Sequence, residues 1–431
     1  ASRGLGDVYK RQSPGGEAFS FCAGTTIRSM SNQPRVEERN ARRFIWSNGL
    51  QNIGDQIVAP KTVLPWLFSA AGVPHVFTSL LVPVRESLSM LPQAFLSPWV
   101  TSQRSRKRVW LIGSWGQFAA AMGIAISALL FDATLLGLIT ITLLAVHATF
   151  RSLCSIAGKD VQGRTISKGK RGEITGRATA LAGAFTLAVG VGLMFVDVSL
   201  HVLLFAGAVT WALASLVFQS IDEPEPEDSK KDTASFRDIL GLVKENKDLQ
   251  RFLVVRSLML VTALSTPFIV VLASQAGADL RGLGAFVIAS GGASLLGGRI
   301  SGLWSDRSSK LTMAWGAGVA SVVLVLLVLS ASVLPDSVNV WVMPLGFFLV
   351  NLAHTSVRVS RKTYLVDMAE GDTRTLITGA SNTVMGIVLL AVGALSSAIS
   401  LLGPQAALIF LAVVGVAGVV GASRLKDVSK R

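Results

Sequence analysis

The sequence predicts an all-α membrane protein whose twelve transmembrane helices form two pseudo-symmetric six-helix bundles. Three observations carry this expectation. Of 431 residues, 51% are hydrophobic and only 15% charged, whereas a soluble domain carries about 25% charged residues. Twelve segments reach or approach the ~20 mostly apolar residues that a spanning helix needs. The basic residues between those segments fall almost entirely on alternate turns.

The first 29 residues precede this pattern. The stretch "GLGDVYKRQ" at 4–12 has no apolar core and no helical period. Within it, Asp7-Val8-Tyr9-Lys10-Arg11-Gln12 resembles the translation of a transposon end used to build sequencing libraries. Residues 1–29 are therefore expected to be artefact and upstream translation, with Met30 the native start; the alternative is a disordered tail. Residues 30–43 are then a cytoplasmic N-terminus, and the first apolar segment is a retained span, since no cleavable signal precedes it.

The spans are expected at 44–70, 76–98, 109–130, 134–156, 176–196, 200–219, 252–274, 280–303, 312–333, 338–356, 375–400 and 404–423. β-Barrel strands would read as short alternating segments, and these do not. Arg104, Arg106, Lys107 and Arg108 follow the second span, and Lys159, Arg164, Lys168, Lys170 and Arg171 the fourth. Arg307 and Lys310 follow the eighth, and Arg358, Arg361, Lys362 and Arg374 the tenth. The opposite turns hold only Arg281. Basic residues favour the cytoplasmic side, so both termini are expected there, in the inner (cytoplasmic) membrane. The net charge of +14 thus reads as topology. It draws the chain to anionic lipid in the bilayer and not to nucleic acid.

Gln219 to Asn246 is the longest polar connection, acidic and proline-containing in its first half. Within it, "SFRDILGLVKE" has the pattern of a short amphipathic surface helix. The division expected is an N-terminal bundle at 44–220, a cytoplasmic linker at 221–250, a C-terminal bundle at 251–424 and a tail at 425–431. An internal repeat supports it. "QRSRK" at 103–107 and "DRSSK" at 306–310 lie 203 residues apart, as do "ITG" at 174–176 and 377–379, and Lys159 and Lys362. Duplicated halves are a plan of secondary transporters.

With this plan, cytoplasmic termini, the central linker and one loop signature, the chain from Met30 to Arg431 resembles the major facilitator superfamily. The signature is glycine, three residues, Asp-Arg, then a basic residue, here Gly302, Asp306, Arg307 and Lys310. The resemblance implies a cytoplasmic latch, with Asp306 engaging the helix that starts near Arg374. The other reading is a basic turn that serves topology alone. The N-terminal copy departs from the pattern, with Gln103 before Arg104 where the family has aspartate. The proline of the family's antiporter signature is absent from "LAGAFTLAVGVGL" at 181–193, which weakens a proton-driven drug exporter.

Ionisable residues at membrane depth are costly and mark functional candidates. The first span carries Asp55 and Lys61 among Gln51, Asn52 and Gln56, and the second carries Arg85 and Glu86. Asp55 and Lys61 do not share a helix face, so pairing is expected across helices: Asp55 with Arg85 and Lys61 with Glu86, or the swapped set. These residues form either a substrate and proton pathway, in which a carboxylate takes and releases a proton, or a permanent lock between two helices. Pro60, Pro65 and Pro83 loosen the backbone nearby. Asn351, His354 and Arg358 share one face of the tenth span, and His147 and Arg151 one face of the fourth; both sets approach the cytoplasmic end as a possible gate. Arg256 is expected to snorkel.

Enzyme chemistry finds no support. "GRTISKGKR" at 163–171 has five residues between its glycines, where a phosphate loop has four, and Arg171 where magnesium needs Ser or Thr. Four scattered histidines and the cysteines Cys22 and Cys154 suggest no metal site, no cofactor and no disulfide framework. The reading is a secondary transporter, a proton-coupled symport permease for a small-molecule substrate, working as a monomer by alternating access. The alternatives are an exporter of amphipathic compounds and a membrane scaffold or sensor on the same fold.

Overall fold

In a computed structural model, residues 23–167, 171–196, 198–224, 241, 244–275, 280–368 and 373–428 are described, and among them every regular element is helical. The suspected artefact up to residue 22 and most of the amphipathic stretch in the linker lie outside them. The first crossing is made of α1 (Ala23–Ile57) and α2 (Val63–Ala70). The next five are α3 (His75–Ser102), α4 (Arg106–Leu130), α5 (Ala133–Thr165), α6 (Arg171–Phe195) and α7 (Leu200–Gln219). The seventh comprises α8 (Lys247–Leu258), α9 (Val261–Leu264) and α10 (Thr266–Gln275). Then come α11 (Leu280–Arg307), α12 (Ser309–Val333), α13 (Asp336–Met368), α14 (Thr373–Ser400) and α15 (Pro404–Ser423).

Among the described residues nine helical segments are long and apolar enough to cross a membrane unaided. The first, second and eighth crossings fall short of that standard, and the first two carry Asp55, Lys61, Arg85 and Glu86. Local side chains set several helix starts. Ser105 accepts from the Arg108 N–H at 3.3 Å and Asn246 from that of Leu249 at 2.9 Å, each filling one orphan donor of a first turn.

Two helices outrun their apolar cores. The fourth span was expected to end at 156 and the tenth at 356, yet α5 continues to Thr165 and α13 to Met368. Hydropathy marks only the apolar stretch of each helix, while Lys and Arg are good helix formers and carry the helix on past it. Lys159, Arg164, Arg358, Arg361 and Lys362 are therefore helical residues and not loop residues.

The first and seventh crossings are broken at matching depth. Pro60 lacks the N–H that would continue α1, and the chain turns over 58–62 before α2 restarts. The seventh breaks between α8 and α10, with Pro267 in the first turn of α10. Thr62 and Ser265, which close the two breaks, are 203 residues apart, the offset of the sequence repeat.

The halves meet along two seams, α3 against α14 and α6 against α11. Exchanging the halves turns one seam into the other, as a pseudo-two-fold requires. Glycine makes the approach possible: a Cβ on Gly190 would stand 2.8 Å from the Ile288 nitrogen and 3.1 Å from the Gly284 carbonyl oxygen. Twelve crossings put both termini on one face. Five hydrogen bonds between described residues cross from half to half, all at mid-depth or toward the opposite face. The outermost are Ser274 to Ser69 at 2.6 Å, Gln275 to His75 at 3.0 Å and Ser397 to the Val76 carbonyl at 3.0 Å.

Candidate functional site

The broken first crossing places two charges in different settings. Asp55 lies in the last turn of α1, inside the N-terminal bundle. Its Oδ1 accepts from Arg85 Nη2 on α3 at 2.5 Å, and its Oδ2 accepts from Arg151 on α5. Arg85 is buried, the Asp55 side chain is 16% exposed and Arg151 is 35% exposed, so the three-residue lock is closed on the Arg85 side and reaches solvent on the Arg151 side. The Asp55–Arg85 pairing is among those expected. Arg151 was expected at a gate with His147; the structure places it in the lock, because α1 ends beside the middle of α5. His147 is buried with its ring edge-on to Trp211 at 4.8 Å, and neither ring nitrogen has a described partner.

Gln51 donates to Ser114 Oγ at 3.3 Å and to Cys154 Sγ at 3.5 Å, within the N-terminal bundle. Asn52 is half-buried beside it without a described hydrogen bond. Gln56 reaches the other half, accepting from Ser290 Oγ at 3.4 Å.

Lys61 sits in the break, where helical periodicity no longer governs its direction. It crosses to the other half: Nζ is 3.3 Å from Nε2 of His354 on α13. No ion pair within 4 Å joins Lys61 to Glu86, the other expected pairing, although each is the leading opposite charge acting on the other. The ammonium can only donate, so Nε2 accepts and the ring proton sits on Nδ1. Nδ1 then donates to Thr262 Oγ1 at 3.1 Å, and that hydroxyl donates onward to the Met259 carbonyl at 3.2 Å. His354 is thus neutral in this arrangement. Thr262 belongs to α9, so the break in the seventh crossing supplies the histidine's partner.

Glu86 is half-buried and has no ion pair among the described residues. The charges that act on it are Lys61, Arg85, Arg151 and Arg361. Arg361 was counted with a loop; two turns beyond His354 on α13, it continues the stripe of His354 and Arg358, and the 354, 358, 361 spacing was its signal. Arg358 is exposed, and Asn351 donates to the Phe347 carbonyl of its own helix at 3.0 Å. Arg256 does not snorkel: it is buried and donates to Ser381 Oγ and, at 3.3 Å, to Asn382 Oδ1.

The turns of the expected latch differ between halves. After α3, the Gln103 carbonyl accepts from Arg106, and Arg104 is exposed. Arg106 Nε donates to Asp160 at 2.8 Å. The acid at the start of α4 is Glu223, which follows α7 and accepts from Ser105 Oγ at 2.8 Å and from the N–H groups of Arg106 and Lys107 at 3.0 and 3.1 Å. In the C-terminal half, Gly302 and Asp306 lie on α11, with Asp306 in its last turn, but the side chains of Asp306 and Arg374 lie outside the described residues. Arg307 is exposed, and Lys310 donates to the Leu425 carbonyl at 3.3 Å. No group of three or more potential metal ligands occurs among the described residues.

Solved structures share this arrangement. The chain is similar to the nucleoside transporter NupG at 13% identity, over 90% of this chain and 98% of that one, with a TM-score of 0.64. It is similar to a D-xylose-proton symporter at 11% identity, over 90% and 98%, with a TM-score of 0.67. A POT family transporter in complex with 5-aminolevulinic acid aligns at 11% identity, over 89% and 95%, with a TM-score of 0.66. This is the fold of the major facilitator transporters. No family model matches the sequence, and no curated protein does. In the major facilitator fold, the Asp55 lock belongs to one bundle, while Lys61 and His354 face each other across the gap between the two.

Proposed function

We propose that this chain is a secondary transporter that moves a small polar solute between its halves by alternating access, coupled to protons. One observation carries the reading: of two carboxylates at similar depth, Asp55 holds two arginines and Glu86 holds none. A carboxylate bonded to two arginines has little reason to change its protonation; one without an ion pair, near the seam between the halves, is less constrained. Glu86 is the proton carrier in this reading, and Asp55 the lock that keeps α1, α3 and α5 together. Lys61 and His354 form a contact that opens and closes with the halves, and the basic turns serve as latches.

The basic residues support an orientation with both termini in the cytoplasm, in the inner membrane. The working unit is the monomer, built of bundles at 44–220 and 251–424 with a linker between them. An amphipathic-compound exporter calls for an apolar, aromatic-lined path, and the charged central layer speaks against it. The test uses the full chain in proteoliposomes with a trapped pH dye, an imposed proton gradient and pools of candidate solutes. A pool that dissipates the gradient only when protein is present is the expected result. Folded protein that responds to no pool would refute the proposal.

A further inference from the structure

We infer that the transported solute is an anion, held through carboxylate, phosphate or sulfate-type oxygens between Lys61 of the N-terminal half and Arg361 of the C-terminal half. This rests on the transport reading and deepens it. The central layer is not electrically balanced. Its carboxylates are Asp55 and Glu86; its cations are Lys61, Arg85, Arg151 and Arg361. Asp55 is fully engaged by Arg85 and Arg151. Glu86 alone is left to offset Lys61 and Arg361, and it makes no ion pair with either.

Both cations keep donors unused. Lys61 has three N–H groups and gives one to His354. Arg361 has no described hydrogen bond or ion pair, and its guanidinium offers a planar fork suited to carboxylate or phosphate. The two cations stand on opposite halves. With no anion between them, closing the gap brings like charges together in a medium of low dielectric, where repulsion is strongest. An anion reverses the sign of that term and favours closure.

The approach is positive as well. The largest charges bearing on Lys362 are Arg358, Arg361, Lys159 and Arg256, all cations, and Lys159 comes from the other half. Among the described residues Arg256 is bonded only to neutral oxygens. A path lined by one sign of charge concentrates the opposite ion and repels its own. The arrangement also sets the sense of coupling. Lys61, Arg85, Arg151 and Arg361 all face Glu86, so protonating Glu86 uncovers one more positive charge and strengthens anion binding. Proton and anion then bind cooperatively and travel together.

The test uses the full chain in proteoliposomes, at fixed ionic strength, with separate pools of sodium carboxylates, phosphate monoesters and sulfate, neutral polyols, and tetraalkylammonium chlorides. The expected result is proton uptake with one anionic pool and none with the neutral or cationic pools. The carboxylate and phosphate arms identify which oxygen chemistry is read. Lys61→Gln and Arg361→Gln should each weaken the apparent affinity by about tenfold or more, while Lys61→Arg retains it. Thermal unfolding of each variant shows that it is folded. Proton flux driven by a neutral or cationic pool overturns the anion inference and leaves the transporter reading standing. Folded protein that is silent with every pool overturns both.

Discussion

Asp55 and Glu86 stand on neighbouring crossings at similar depth, and their surroundings differ in kind. Asp55 accepts from two arginines on two further helices of its own bundle. Glu86 has cations around it, among them Arg361 of the other half, and no ion pair among the described residues. The difference separates what holds a bundle together from what responds when the bundles move. The proton-coupled transport proposed here calls for both: rigid halves, and a charge whose state can change between them.

Four variants break or sharpen this contrast. Asp55→Asn should have the largest effect on stability, about 3–5 kcal/mol, because it leaves Arg85 and Arg151 without a counter-ion. Thermal unfolding in detergent measures it, and an unchanged transition would abolish the distinction. Arg151→Gln leaves Asp55 its bond to Arg85 and should cost less, about 1–3 kcal/mol. Combined with Asp55→Asn it should be clearly non-additive, and strict additivity would show that the lock is not one unit. His354→Leu removes the acceptor of Lys61 between the halves and should cost about 1 kcal/mol, read as a small fall in the unfolding midpoint. Glu86→Gln should be the mildest, within about 1 kcal/mol; a loss as large as that of Asp55→Asn would make both carboxylates structural.

Much of this fold is legible in the sequence, because each bundle helix needs an apolar segment long enough for the bilayer and the basic turns mark one face. The Asp55–Arg85 pairing follows from antiparallel packing of two unusually polar spans. The fate of Lys61 does not follow, because periodicity loses its meaning once Pro60 breaks the helix. Arg361 was hidden by a boundary: the apolar stretch ends at 356, the helix does not, and a stripe at 354, 358 and 361 was cut in two. Arg151 looked like a gate residue because nothing local says that α1 ends beside it. Glu223 on the start of α4 is a contact between residues more than a hundred positions apart, and no spacing rule reaches that far.

The most direct test of the account compares Glu86→Gln with the unaltered full chain in proteoliposomes, using the solute pool that passes the proton-flux assay. Two quantities are read from the same vesicles: accumulation driven by a proton gradient, and exchange of labelled for unlabelled solute without a gradient. Glu86→Gln is expected to lose accumulation and keep exchange. Accumulation that survives intact would remove Glu86 from the proton pathway and contradict the central claim.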